Sequence, residues 1–182
     1  MVRILILTMM ILAAAVIEGS VSGSAASGDD AHFPSVRASN LEKRDMNLPA
    51  DFEGERNLLL VAFEREQQKD VDTWLREMKR FEATDPGFRY YELPTIQKMN
   101  SLARWFIDSG MRRGIPDRKA RERTITLYLE KQPFCEALGI RDQKKIYQFL
   151  VDRKGRVLWR ADGSFDEAKG ASLRRALGEH KQ

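Results

Sequence analysis

Apolar positions along the chain follow two periods, and together they predict nearly every element. Residues 146–151 and 57–63 are almost continuously apolar over strand length, as in strands covered on both faces. Residues 124–129 alternate and are rich in Thr and Tyr, a strong local strand signal. Over 69–81 the period changes: Val71, Trp74, Leu75, Met78 and Phe81 recur at helical spacing, with Asp70, Asp72, Arg76, Glu77, Lys79 and Arg80 opposite them. Asp85, Pro86 and Gly87 stop that helix, and 88–93 supplies a further strand ended by Pro94. A second helix is predicted over 97–109, with Met99, Leu102, Ala103 and Phe106 inward, Ile107 at their margin, Trp105 nearer the edge and Gly110 as its stop. Residues 111–123 read as irregular and basic, with a short helix capped by Asp117, and 133–138 as a short helix ended by Gly139.

The C-terminal third reads as β-β-α. Asp152, Arg153, Lys154 and Gly155 form a tight connection, in which Asp bonds its own backbone and Gly155 supplies a positive φ. Val157 and Trp159 share one face of the returning strand by period two. Residues 162–166 then lead into a helix offering Phe165, Ala168, Leu173, Ala176 and Leu177 to the sheet. At the other end, 36–41 and 45–48 form a small edge hairpin. The expected fold is a three-layer α/β/α domain over 33–182, with a central mixed sheet and an N-terminal edge hairpin.

Composition adds a location and removes several chemistries. Arg3, the apolar run 4–17 and the small residues Ser24, Ala25 and Ala26 have the layout of a signal peptide over 1–26, followed by a Gly/Ser/Ala-rich tether over 27–32. The protein is therefore expected to be exported, periplasmic or secreted, with an uncleaved signal anchor as the alternative. Cleavage removes Arg3 and Glu18, so the formal net charge of +4 is unchanged; this modest excess favours solubility and weak attraction to anionic surfaces. Cys135 is the only cysteine, which rules out an intramolecular disulfide and cysteine-pair redox chemistry. His32 and His180 lie near opposite ends, so no zinc-like ligand spacing exists, and neither metal nor cofactor is expected.

On these residues the chain resembles the thioredoxin-like superfamily over roughly 33–177. Phe33, Pro34, Leu48, Pro49, Gly54 and the strand 58–63 look like the lead-in of its peroxiredoxin and periplasmic thiol-reductase branches, and 149–157 looks like their penultimate strand and hairpin. Residues 146–152, 155–159 and Gly163 also resemble the closing segment of mitochondrial ATP synthase assembly factors of the ATPase-complex subunit 10 type. The redox families carry a nucleophilic cysteine at the head of the first helix. Here 64–70 has no thiol, and Lys145, Ile146 and Tyr147 supply no proline where those families place a cis-proline. A helix N-terminus favours a thiolate, so the resemblance implies a site without its reagent, which fits the assembly factors better.

What remains are candidate surfaces. Cys135 is the catalytic candidate of a peroxiredoxin-like alternative; its other reading is a small buried residue, with Glu136 opposing a thiolate. Gln67 and Gln68 read as solvated helix-entry residues. Arg112, Arg113, Arg118, Lys119, Arg121 and Arg123, set against Asp117 and Glu122, are candidates for contact with an acidic protein face or phospholipid headgroups; otherwise they are a solvated, locally paired surface. Trp105, with 90–94, Met99 and Met111, is read either as lining a groove for an apolar partner segment or as ordinary packing. Nucleic acid is not an expected partner, because the basic stretch has no interleaved aromatics. The expected function is a monomeric, non-catalytic interaction or assembly module with an envelope or membrane protein partner. The alternatives are a thiol enzyme using Cys135 and a small-molecule binder in the old redox cleft.

Overall fold

In the computed structural model, which describes residues 31–180, the edge hairpin forms as its sequence requires: β1 (Val36–Asn40) pairs antiparallel with β2 (Asp45–Leu48). The Asn40 side chain closes the turn by accepting from the Glu42 and Arg44 N–H groups, while Lys43 takes a positive φ of 65°. β3 (Arg56–Ala62) is the apolar run, buried along almost its whole length because strands lie on both sides and helices on both faces. The crossover helix α1 (Gln68–Thr84) leads to β4 (Phe88–Gln97), parallel to β3. After α2 (Ser101–Gly114) and α3 (Arg118–Arg123), β5 (Ile125–Leu129) joins parallel to β4. Then come α4 (Lys131–Ala137), β6 (Tyr147–Asp152), β7 (Val157–Asp162) and α5 (Glu167–Glu179). The sheet order is β2-β1-β5-β4-β3-β6-β7.

The two faces of this sheet carry two cores. On one, Leu58, Leu60 and Leu150 meet Val71, Trp74 and Met78 of α1 and Leu173 and Leu177 of α5. On the other, Leu59, Val61, Leu93 and Phe149 meet Phe134 of α4 together with Phe33 and Phe52. This is the expected three-layer α/β/α domain with its mixed sheet. The β6–β7 connection is also as expected: the Asp152 carboxylate accepts from the N–H groups of Lys154 and Arg156, and Gly155 sits at φ 84°. A Cβ on Gly155 would stand 2.7 Å from Pro49 Cγ, so the turn is packed against the start of the domain.

Four local expectations are corrected. Pro94 does not end its strand: β4 continues to Gln97, because Pro94 stands at the last register pair with β3 and the residues after it pair with β5 on the other side. Val157 and Trp159 do not share a face, because a register shift at Leu150/Val151 sends Val157 to the α4 side and Trp159 to the α1/α5 side. Ala168 is exposed; the buried stripe of α5 is Gly170, Leu173, Ala176 and Leu177, with Gly170 against the Phe165 ring. Finally, α2 runs through Gly110 to Gly114, taking in residues read as irregular, and its apolar face points outward. Its other side carries the partly buried Ala103, Ile107 and Met111 and is held by polar contacts: the Tyr128 hydroxyl donates to Asp108 Oδ1 at 2.8 Å, and Arg104 lies 5.1 Å over the Tyr128 ring. Arg112 donates to the Leu41 carbonyl at 3.0 Å. Helical periodicity gives a face but not its direction. The leader and tether readings fall in residues 1–26 and 27–32, almost wholly outside the described residues. Among those described, no helix is long and apolar enough to cross a membrane.

Candidate functional site

The C-terminal end of β3 is where the chain should be reactive if it is reactive anywhere, because β3 there passes into a helix N-terminus. Glu64 caps a short 3₁₀ turn, Arg65–Gln67, that runs into α1. Gln67 is buried, not solvated as its position near the helix entry suggested. Its Oε1 accepts from Phe63 N at 2.8 Å and Glu64 N at 3.3 Å, and its Nε2 donates to the Gln143 carbonyl at 2.7 Å. One side chain thus satisfies the entry to α1 and ties it to the loop before β6. Both the oxygen and the nitrogen of this amide are thereby engaged in structural bonds. The signal was present in sequence: a Gln three residues after Glu64, just ahead of an apolar helix, is half of a capping box.

Cys135 lies on α4 on the α4-facing side of the sheet, in the core that also holds Phe63, Phe134, Leu138 and Tyr147. Burial pushes its thiol up; the Lys131 charge and a hydrogen bond with the Gln143 side chain pull the other way without reversing the shift, and Glu136 adds to it. A thiol held protonated in this way is a poor nucleophile, since the thiolate is the reactive form. Among the described residues, no group of His, Cys, Asp and Glu side chains could hold a metal ion.

A second buried titratable group flanks the same helix head. Glu92 on β4 accepts a hydrogen bond from Gln68 Nε2 at 3.3 Å, and Gln68 also donates to Asp72. Burial raises the Glu92 carboxyl above its ordinary 4.5; the Gln68 bond lowers it and the Asp72 charge raises it. A raised folded-state value means that folding favours the protonated form. Glu92 therefore contributes stability that is complete below the unfolded carboxyl value and is lost as pH rises through the folded one. Glu92→Gln should raise thermal stability at neutral pH and match the parent at acid pH; equal melting curves at neutral pH would contradict this.

The other candidate residues are dispersed. Arg121 and Arg112 both pair with Glu42, and Arg121 also donates to the carbonyls of Ile115 and Pro116. Arg123 pairs with Glu82 at 2.6 Å and lies 4.4 Å over the Tyr90 ring. Arg118 pairs with Glu122, and Arg113 and Lys119 are exposed. Half of the basic stretch therefore holds α2 and α3 against the sheet, and half faces outward. Tyr90 and Tyr91 enter opposite cores while Trp105 points to solvent, so the proposed apolar groove is not assembled. Trp74 is core and Trp159 half-buried.

Against known proteins, no family model and no curated sequence matches this chain. Solved structures do. The thioredoxin domain of a thiol-disulfide oxidoreductase from Bacteroides vulgatus superposes with a TM-score of 0.53 at 15% identity, covering 79% of this chain and 94% of that one. A thiol-disulfide oxidoreductase from Bacteroides fragilis gives 0.50 at 12% identity, covering 79% and 98%. A thiol:disulfide interchange protein from Bacteroides sp. gives 0.50 at 16% identity, covering 83% and 88%. At these identities the likeness establishes the fold, which is thioredoxin-like.

Proposed function

We propose that this protein is an exported thioredoxin-like interaction or assembly module that works without thiol–disulfide chemistry. The observation that carries the reading is Gln67: at the helix head where the redox families carry their nucleophile, a buried amide caps the helix and bridges to the opposite loop. Cys135 supplies no substitute, being buried, held protonated and without a second cysteine in the chain. The leader pattern supports export, and the assembly role rests on the resemblance, read from the sequence alone, of 146–152, 155–159 and Gly163 to the ATP synthase assembly factors.

The test is turnover. Purified protein and its Cys135→Ser variant are assayed for peroxide consumption with a dithiol reductant and for reduction of insulin disulfides. Both should stay at the uncatalysed background, with the Cys135→Ser variant folded but somewhat less stable because a hydroxyl replaces a thiol in the core. Peroxide or disulfide turnover by the parent that Cys135→Ser abolishes would overturn the reading in favour of a thiol enzyme.

A further inference from the structure

The least expected feature of the surface is α2. No residue of this helix is buried, and three large apolar side chains on its outer face stand open: Leu102 is 73%, Trp105 61% and Phe106 71% exposed. Arg113 continues that face two turns beyond Phe106, and Cβ atoms built on Gly110 and Gly114 would meet nothing within 4 Å. The helix is fixed from behind by polar contacts, through Arg104, Asp108 and Arg112. It therefore presents a Leu/Trp/Phe stripe outward on a rigid mount. Exposed cations precede and follow the stripe along the chain: Lys98 before the helix, Arg113 at its end and Lys119 on α3, the next element. Among the described residues, no carboxylate stands within ion-pair distance of these three.

We propose that α2 is a docking surface for an anionic lipid bilayer, with Leu102, Trp105 and Phe106 entering the interface and Lys98, Arg113 and Lys119 meeting the headgroups. A surface-parallel helix with Trp, Phe and Leu on its outer face and cations beside them is suited to the boundary between headgroups and acyl chains. A second copy of the chain fits poorly. The three side chains offer about 400 Å² per copy, so a symmetric pair would have to bury charged surface around them as well to reach the roughly 1,000 Å² a stable interface needs. Such a pairing would also bring like charges together. This inference goes beyond the non-redox reading and stands apart from it, since none of its residues touches Cys135 or the head of α1.

Tryptophan fluorescence of the full chain gives the test. Trp105 is exposed while Trp74 and Trp159 are packed, and the apolar run 4–17 contains no tryptophan, so a spectral shift reports α2. Vesicles of phosphatidylcholine mixed with phosphatidylglycerol should shift the emission to the blue, and acyl-brominated lipid should quench it. Trp105→Phe should remove the spectral response. The pairs Leu102→Ser with Phe106→Ser, and Arg113→Glu with Lys119→Glu, should each weaken partitioning about tenfold, a loss of about 1.4 kcal/mol. Their unfolding should be unchanged, because the altered side chains are exposed. Salt should weaken binding as the Debye length falls from about 10 Å at 0.1 M to about 3 Å at 1 M. No shift with any vesicle, or an equal shift with phosphatidylcholine alone, would overturn the proposal. So would a shift produced by polyglutamate and not by vesicles, which would assign the surface to an acidic protein, or concentration-dependent dimerisation that buries Trp105.

Discussion

Trp74→Ala should cost about 3–5 kcal/mol of folding stability, the range for removing a large buried aromatic. Trp74 is fully buried where α1, β7 and the lead-in to α5 meet. Its indole packs edge-on against Trp159 at 6.2 Å and Phe165 at 5.1 Å, and its Nε1 donates to the Gly163 carbonyl at 3.0 Å. That carbonyl keeps a bond from Gln148, so the main loss is packing and the cavity left behind. Because whole domains have only about 5–15 kcal/mol of stability, the variant should unfold at much lower denaturant. Urea unfolding followed by far-ultraviolet circular dichroism measures it. Trp74→Phe should recover most of the loss, whereas a deficit below about 1 kcal/mol for Trp74→Ala would show that the α1/α5 core is not packed as described.

Arg56→Ala should be comparably damaging for an electrostatic reason. Arg56 opens β3 with its side chain only 5% exposed, and its guanidinium donates to Asp85 at 2.8 Å and to the His180 carbonyl at 2.9 Å. It thereby joins the α1–β4 turn to the end of α5. Asp85 is itself only 9% exposed and otherwise accepts from Gly87 N. Removing the arginine leaves a buried carboxylate without its counter-charge, which costs about 3–5 kcal/mol. Replacing both partners by apolar residues, Arg56→Met with Asp85→Leu, removes the unpaired charge and should recover much of that loss. If the double variant is as unstable as the single one, the lost bond to His180, and not the stranded charge, is what matters.

How much of this was legible depended on what each residue type forces locally. The β3 run, the α1 stripe and the Asp152–Gly155 turn carry their own local instructions, since continuous apolar length, helical period and an Asp followed by Gly each specify the element that forms. The absence of a thiol at the helix head was readable for the same reason. What periodicity could not supply was tertiary. The outward turn of Leu102 and Phe106 follows from Tyr128 and the Leu41 carbonyl, residues brought under α2 only by the sheet. The split of the basic stretch follows from Glu42 and Glu82, distant in sequence. The displacement of Trp159 from the face of Val157 follows from a single bulge. Gln67 does carry a local signal, because its capping role is set by Glu64 three residues earlier.

Whether this fold works without a reactive thiol is read from the pH dependence of Cys135 alkylation in the native protein, with the denatured chain as reference. Cys135 is the only thiol, so mass analysis after iodoacetamide treatment reads one site. With burial raising its pKa, native Cys135 should react more slowly than the denatured chain at neutral pH, with a profile displaced above the ordinary thiol value of 9.0. A native rate exceeding the denatured one, with a plateau already reached at or below neutral pH, would reveal an activated thiolate and contradict the non-redox assignment.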